Sequence, residues 1–272
     1  MQDIELEQAI EVLLAHTTPV TETERVPLLD ALGRVAAEDV YAAFDNPPFD
    51  RSPLDGYTFA AVSTADASAE HPVRLTVVGE ECAGDFFAGA VGAGECVRIM
   101  TGGAIPAGCD CVVRQEDVRE EGTAIFVPFT SQPFENYCYA GEDIKKDTLL
   151  LAKGQRIRAS QIAVLASEGH ADVCVHRRVR IAVASTGDEL LQPGEPLRPG
   201  KIYNSNLYLL AARLKEMGFE AEILGALPDD AEEVARALVS SAEPPDLVLT
   251  TGGVSVGKKD IMHDVVKELN AE

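Results

Sequence analysis

The segment Thr250-Thr251-Gly252-Gly253-Val254-Ser255-Val256-Gly257 follows an apolar run, Leu247–Thr250, that reads as a strand, and precedes a stretch of helical spacing, Asp260–Leu269. In an open α/β sheet, ligands bind at the C-terminal ends of the strands. Glycines there let backbone N–H groups approach a phosphate, and the hydroxyls of Thr251 and Ser255 can add donors. The spacing is neither a Walker loop nor a G-x-G-x-x-G fingerprint, and a tight strand-to-helix turn would use the same glycines. Ser185-Thr186-Gly187-Asp188-Glu189-Leu190 stands after another apolar run, Val179–Ala184. Adjacent carboxylates at a strand end suit a hard cation such as Mg²⁺, or simply cap a helix. Asp229-Asp230 close a third run, Ala221–Leu227, where capping is sufficient, and Asp260 either caps its helix or faces the ligand of the glycine loop. Three strands that each end in acid or glycine on one rim argue for a site more strongly than any one of them.

The elements needed to hold that rim can be read around it. A helix is expected from Asn206 to Met217, with Leu207, Leu210, Ala211, Leu214 and Met217 on one face and Gly218 past its end. Asp229 and Glu232 have N-cap and N3 spacing before a helix carrying Ala231, Val234, Ala235 and Leu238. Strand alternating with helix three times predicts a parallel, doubly wound α/β domain over 178–272. Upstream, short β-branched runs broken by Gly and Pro (Val73–Val78, Cys96–Met100, Cys109–Arg114, Ala124–Val127) predict a β-rich domain within 46–139. Residues 1–45 and 140–177 are expected to form a composite helical and irregular domain into which the β-rich one is inserted. Helical spacing covers 4–16, and a second short amphipathic stretch covers 28–35. Asn46-Pro47-Pro48-Phe49 excludes helix where it stands.

Three turns in the N-terminal half mix unusual residue types: Phe49 to Tyr57, Arg98 to Pro106, and Gly141-Glu142-Asp143-Ile144. Each alone suits a structural turn. The 272 residues carry a formal net charge of −22, which disfavours nucleic acid and acidic membrane as partners. A small anion is still admissible, held by backbone N–H groups or a metal. No segment is long and apolar enough to span a membrane, and the acidic N-terminus lacks the basic and apolar regions of a signal peptide. A cytoplasmic protein is expected. The six cysteines show no CxxC zinc spacing and are expected to be reduced, in or near a core.

Taken together, seven stretches in order resemble the molybdopterin molybdenumtransferase family, which includes the matching domain of gephyrin. They are FDRSPLDGY at 49–57, RIMTGGAIP at 98–106, GCDCVVRQED at 108–117, GEDI at 141–144, STGDEL at 185–190, IYNSN at 202–206 and TGGVSVGKKD at 251–260. The resemblance implies insertion of molybdenum from molybdate into the dithiolene of molybdopterin. The ligand would arrive adenylylated, and its pyrophosphate bond would be hydrolysed with Mg²⁺ and release of AMP. It implies a homodimer whose active site is shared between subunits, and a molybdopterin adenylyltransferase as a partner. It places catalytic roles on Asp55, Thr101, Asp143, Glu189, Asp229 and Asp260, and metal binding on Glu189, Asp229 and Asp260. Ligand binding falls on Thr251, Gly252, Gly253, Ser255 and Gly257.

Some positions depart from the family's pattern. Asn136 to Ala140 lack the arginine common before the GED turn, Asn204 stands where aspartate is usual, and Arg51 and Leu54 replace Asn and Met. Arg51 could supply a positive charge lost elsewhere. The chain ends at Glu272, whereas family members continue through a KPGKP-like segment, a GLPGNP-like loop and a β-rich C-terminal domain. A shortened chain with an incomplete α/β domain is therefore expected. Two other readings stand beside the transferase: a catalytically incomplete ligand-binding fragment or scaffold, and a molybdopterin adenylyltransferase-like module. About 175 residues ahead of the α/β region argue against the last.

Overall fold

The computed structural model describes residues 4–82, 84–239, 244–252 and 261–269. The chain divides into two compact units, one of 1–26, 33–37 and 174–272, the other of 27–32 and 38–173. Helix α1 (Leu6–His16) opens the first. Its apolar residues recur at helical spacing, yet Leu6, Ile10, Leu13 and Leu14 are all exposed. The amphipathic stretch expected at 28–35 is a single 3₁₀ turn, Leu28–Ala31, because Gly33 at φ 78° turns the chain away from helix.

The second unit is built on a mixed six-stranded sheet. Its strands are β1 (Gly56–Phe59), β2 (Val73–Glu81), β3 (Glu95–Ile99), β4 (Cys111–Arg114), β5 (Arg119–Glu121) and β6 (Ala124–Val127), in the order β4-β1-β3-β2-β6-β5. Only β2 and β3 are parallel. Tyr57, Phe59, Leu75, Cys96, Cys111 and Ile125 form its core. All six cysteines are unpaired. Burial pushes the Cys96 and Cys111 thiols up to about 12, which suits inert packing residues. Gly56 is required by close approach: a Cβ there would lie 1.8 Å from the Val113 carbonyl oxygen on the neighbouring strand. Helix α2 (Ala159–Ser167) also belongs to this unit.

In the first unit, β7 (Ile181–Thr186) is followed by α3 (Ser205–Glu216), β8 (Ala221–Leu227), α4 (Ala231–Val239), β9 (Leu247–Thr251) and α5 (Met262–Glu268). The sheet is parallel with order β8-β7-β9, so β7 is central, and all six of its residues are buried. Successive residues serve opposite faces. Ile181 and Val183 pack with Leu207 and Leu210 of α3, while Ala184 packs with Val234 and Leu238 of α4 and Val265 of α5. The acid that caps α4 is Asp230, not Asp229: its Oδ1 accepts the Glu233 N–H at 2.9 Å. The helix starts one residue later than the spacing suggested, and that moves the cap.

Asp246 fixes the register at the N-terminal ends of β7 and β9. It accepts two bonds from Arg177, at 2.6 and 2.9 Å, two from the Arg180 guanidinium, at 3.1 and 3.5 Å, and one from the Arg180 N–H at 2.8 Å. The Arg177 guanidinium first, and then Arg180, hold its carboxyl well below the usual carboxylate range. A lowered folded-state value contributes stability that is present above about pH 4 and lost as the pH falls through the folded value. Asp246→Asn is expected to lower the melting temperature at pH 7, with the gap to the parent closing below about pH 4. A gap that stays constant in melts from neutral to acid would show that the ion pair does not act this way.

Candidate active site

Parallel pairing of Ser185 with Thr251 brings the ends of β7 and β9 together. Just beyond them, and beside the start of α3, is a cavity of about 130 Å³ lined by Thr186, Glu189, Asn204, Ser205, Asn206 and Gly252, among others. Its glycine is structurally constrained. Gly252 has φ 91°, and a Cβ there would sit 2.5 Å from the Thr186 carbonyl oxygen. No residue with a side chain fits that place without moving the end of β7.

A hydroxyl relay ties the cavity wall together. Thr251 Oγ1 donates to Ser185 Oγ at 3.0 Å, and Ser185 Oγ donates to Asn204 Oδ1 at 3.1 Å. Asn204 Oδ1 also accepts the Leu207 N–H at 3.3 Å and so caps α3. Asn204 is buried, and among the described residues its Nδ2 has no partner; the same holds for Thr186 Oγ1. A buried unpaired polar atom costs about 1–3 kcal/mol, a cost that polar atoms of a bound ligand would offset. Glu189 supplies a carboxylate to the same cavity, tucked against Gly187, where a Cβ would lie 2.6 Å from Glu189 Oε2.

The second unit gathers three further expected residues. Asp55 Oδ1 accepts both the Thr101 N–H and the Thr101 hydroxyl, each at 2.7 Å. The Thr101 amide first, then its hydroxyl, lower the Asp55 pKa. Pairing of Gly56 with Ile99 brings these two residues together across 46 positions of sequence. Residues 50–52 thread between the 100–105 turn and the 138–140 segment. Ser52 N–H donates to Gly103, Arg51 exchanges backbone bonds with Cys138, and the Asp50 carboxylate accepts the Ala140 N–H and the Tyr137 hydroxyl. The Arg51 guanidinium lies 3.3 Å from the Asp143 carboxylate. An exposed pair of this length contributes little to stability.

Thr251, Gly252 and Glu189 thus meet in one cavity, and Asp55, Thr101 and Asp143 share one loop cluster. Asp229 lies between β8 and α4 and is not part of the cavity lining. Gly253, Ser255, Gly257 and Asp260 fall outside the described residues. Among the described residues no three His, Cys, Asp or Glu side chains form a metal-holding group. A cation held by one or two carboxylates plus ligand oxygens needs no such group, and Glu189 fits that mode. Sequence reasoning assigned no role to Ser185, Thr186 or Asn204. The available signal was Asn204 itself, a capping residue directly before a helix and beside a strand end.

A parallel sheet with helices on both faces and a polar cavity beyond its strand ends defines an α/β ligand-binding unit, here following a β-rich unit with its own acid and threonine cluster. Two family patterns match: "MoeA N-terminal region (domain I and II)" over 4–169 and "Probable molybdopterin binding domain" over 182–272. The chain is 37% identical over 266 residues to the molybdopterin molybdenumtransferase of Haemophilus influenzae, covering 97% of this chain and 64% of the relative. It is 39% identical over 263 residues to that of Bacillus subtilis, covering 95% and 61%. A crystal structure of a molybdopterin biosynthesis MoeA protein from Pyrococcus horikoshii superimposes with a TM-score of 0.82 at 36% identity, covering 98% of this chain and 66% of that one. The chain belongs to the molybdopterin molybdenumtransferase family and spans less than two thirds of the length of these curated relatives. Among the described residues no helix is long and apolar enough to cross a membrane.

Proposed function

We propose that the chain binds adenylylated molybdopterin and, with Mg²⁺, hydrolyses its pyrophosphate bond as molybdenum from molybdate enters the dithiolene. The observation that carries this reading is the cavity at the ends of β7 and β9, where buried polar atoms of Asn204 and Thr186 lack partners among the described residues. Gly252 lets the backbone approach the ligand there, and Thr251 and Ser185 hold the wall. Glu189 contributes the carboxylate toward a cation, which when bound neutralises part of the charge on the pyrophosphate. Glu189, Asp229 or Asp260 positions the attacking water. Its oxygen bonds to a phosphorus of the pyrophosphate, the bridging P–O bond breaks, and AMP leaves.

The test is AMP release from adenylylated molybdopterin with Mg²⁺, with and without molybdate. Molybdate-dependent release is expected. A chain that binds the ligand but releases no AMP would leave a ligand-binding fragment instead.

The same reading includes a homodimer. Supporting it is the exposed apolar stripe Leu6, Ile10, Leu13 and Leu14 of α1, a surface of the kind that marks protein contacts. Sedimentation velocity should show a dimer that Leu13→Glu and Leu14→Glu together dissociate. A parent chain that sediments as a monomer at micromolar concentration would remove the dimer from the account.

A further inference from the structure

We propose that Glu168 is a positioning residue: through the side chain of Asn46 it holds the turn that presents Asp143. This role rests on the reading of Asp143 as part of the reaction and extends it to a buried carboxylate that no other step uses.

Glu168 stands where stability alone would not put an acid. It follows the last residue of α2, where its N–H bonds to the Val164 and Ala166 carbonyl oxygens and Gly169, at φ 78°, turns the chain. The C-terminal end of a helix carries partial negative charge, so an acid there is unfavourable. The residue is only 3% exposed. Burying a carboxylate is costly unless its oxygens are bonded, and among the described residues Oε2 has no partner. The other oxygen, Oε1, accepts the Asn46 side-chain amide at 3.1 Å, across 122 positions of sequence. A carboxylate only accepts, so the end of Asn46 that faces it is the NH₂ group.

Asn46 in turn clamps the segment from Gly141 to Ile144. Its carbonyl accepts the Asp143 N–H at 3.0 Å and the Ile144 N–H at 2.9 Å, and its own N–H donates to the Ile144 carbonyl at 2.7 Å. The residues beside it repeat the grip. The Pro47 carbonyl takes the Gly141 N–H at 2.9 Å, and Asp45 Oδ1 takes the Lys146 N–H at 2.8 Å. Backbone bonds thus tie the turn to Asn46, and the Asn46 side chain, held by Glu168, ties both to the end of a helix, a rigid support. The Asp143 side chain is 62% exposed and meets the Arg51 guanidinium at 3.3 Å, an exposed pair that fixes it weakly. Its place therefore depends on the backbone beneath it. A shift of about 1 Å in a reacting group costs about a hundredfold in rate.

Glu168→Leu removes the acceptor at similar bulk, and Glu168→Gln keeps an oxygen for Asn46. Two measurements on the full chain are read together. One is site-resolved amide exchange without ligand. The other is kcat and KM for AMP release from adenylylated molybdopterin with Mg²⁺ and molybdate. In Glu168→Leu the Asp143 and Ile144 amides are expected to exchange about tenfold faster or more. Its kcat should fall about tenfold or more with KM little changed, and Glu168→Gln should restore both. A carboxylate that only packs the end of α2 would change the melting temperature and leave the two amides and kcat as in the parent. That result overturns the proposal, and so does faster exchange with unaltered kcat. Should Glu168→Leu not fold, Asn46→Ala removes the same bond from the other side and must reproduce the loss; parent-like behaviour there overturns the proposal as well. A parent that releases no AMP removes the reaction alone, and the amides of Asp143 and Ile144 then decide whether Glu168 holds the turn.

Discussion

Gly252→Ala is expected to reduce affinity for adenylylated molybdopterin by about a hundredfold or more, the largest effect of any single methyl group in the first unit. Two costs add. At φ 91° an alanine is held in the left-handed region, a strain of about 1–2 kcal/mol. Its Cβ would also stand 2.5 Å from the Thr186 carbonyl oxygen and 3.0 Å from Thr186 Oγ1. The first of these is backbone at the end of the central strand, so relief requires moving β7 or the turn itself, and either displaces the cavity wall. Gly225 supplies the control. It has φ 86° in β8, but a Cβ there meets nothing within 4 Å. Gly225→Ala should lose stability from strain and keep the ligand. Equal loss of affinity in the two variants, measured by titration calorimetry, would show that close approach at Gly252 is not what matters.

Asp55→Ala is expected to lower the rate of AMP release by about a hundredfold or more, a loss of the size seen when a group aimed at a reacting centre is removed. One carboxylate oxygen holds both the amide and the hydroxyl of Thr101, and the turn from Met100 to Gly103 loses that anchor with it. Asp55 is exposed, so the melting temperature should change little while turnover falls. Asp55→Asn keeps an acceptor for Thr101 and removes the charge, and should be intermediate. Thr101→Val keeps the amide bond and loses the hydroxyl bond. The lowered Asp55 pKa keeps the group ionised well into the acid range, so it should not contribute the acid limb of a pH–rate profile near neutrality. Undiminished turnover in Asp55→Ala would remove this cluster from the reaction.

Much of the framework was legible because it rests on local pattern. The spacing Leu207, Leu210, Leu214 fixes a face of α3, and the structure seats that face on Ile181 and Val183. The apolar runs at 221–227 and 247–251 are strands because their alternation with helices leaves a parallel sheet as the way to bury them. What escaped depends on register or on partners distant in sequence. Whether Asp229 or Asp230 caps α4 turns on a single residue of helix start, which adjacent identical side chains cannot reveal. The link between Asp55 and Thr101 exists only through pairing of β1 with β3. Glu81 ends β2 and is fully buried, and burial raises its pKa. The amides of Phe87 and Ala104 offset that burial only in part. The apolar stripe of α1 was clear from spacing, but spacing alone does not say that it stays exposed.

The central claim is that ligand binds in the cavity at the strand ends of the α/β unit. Amide hydrogen exchange with and without adenylylated molybdopterin and Mg²⁺ tests it most directly. The account predicts slowed exchange at 186–190, 202–206 and 251–252, with Gly252→Ala abolishing the protection. Saturating ligand that leaves those segments unchanged while protecting others would contradict it.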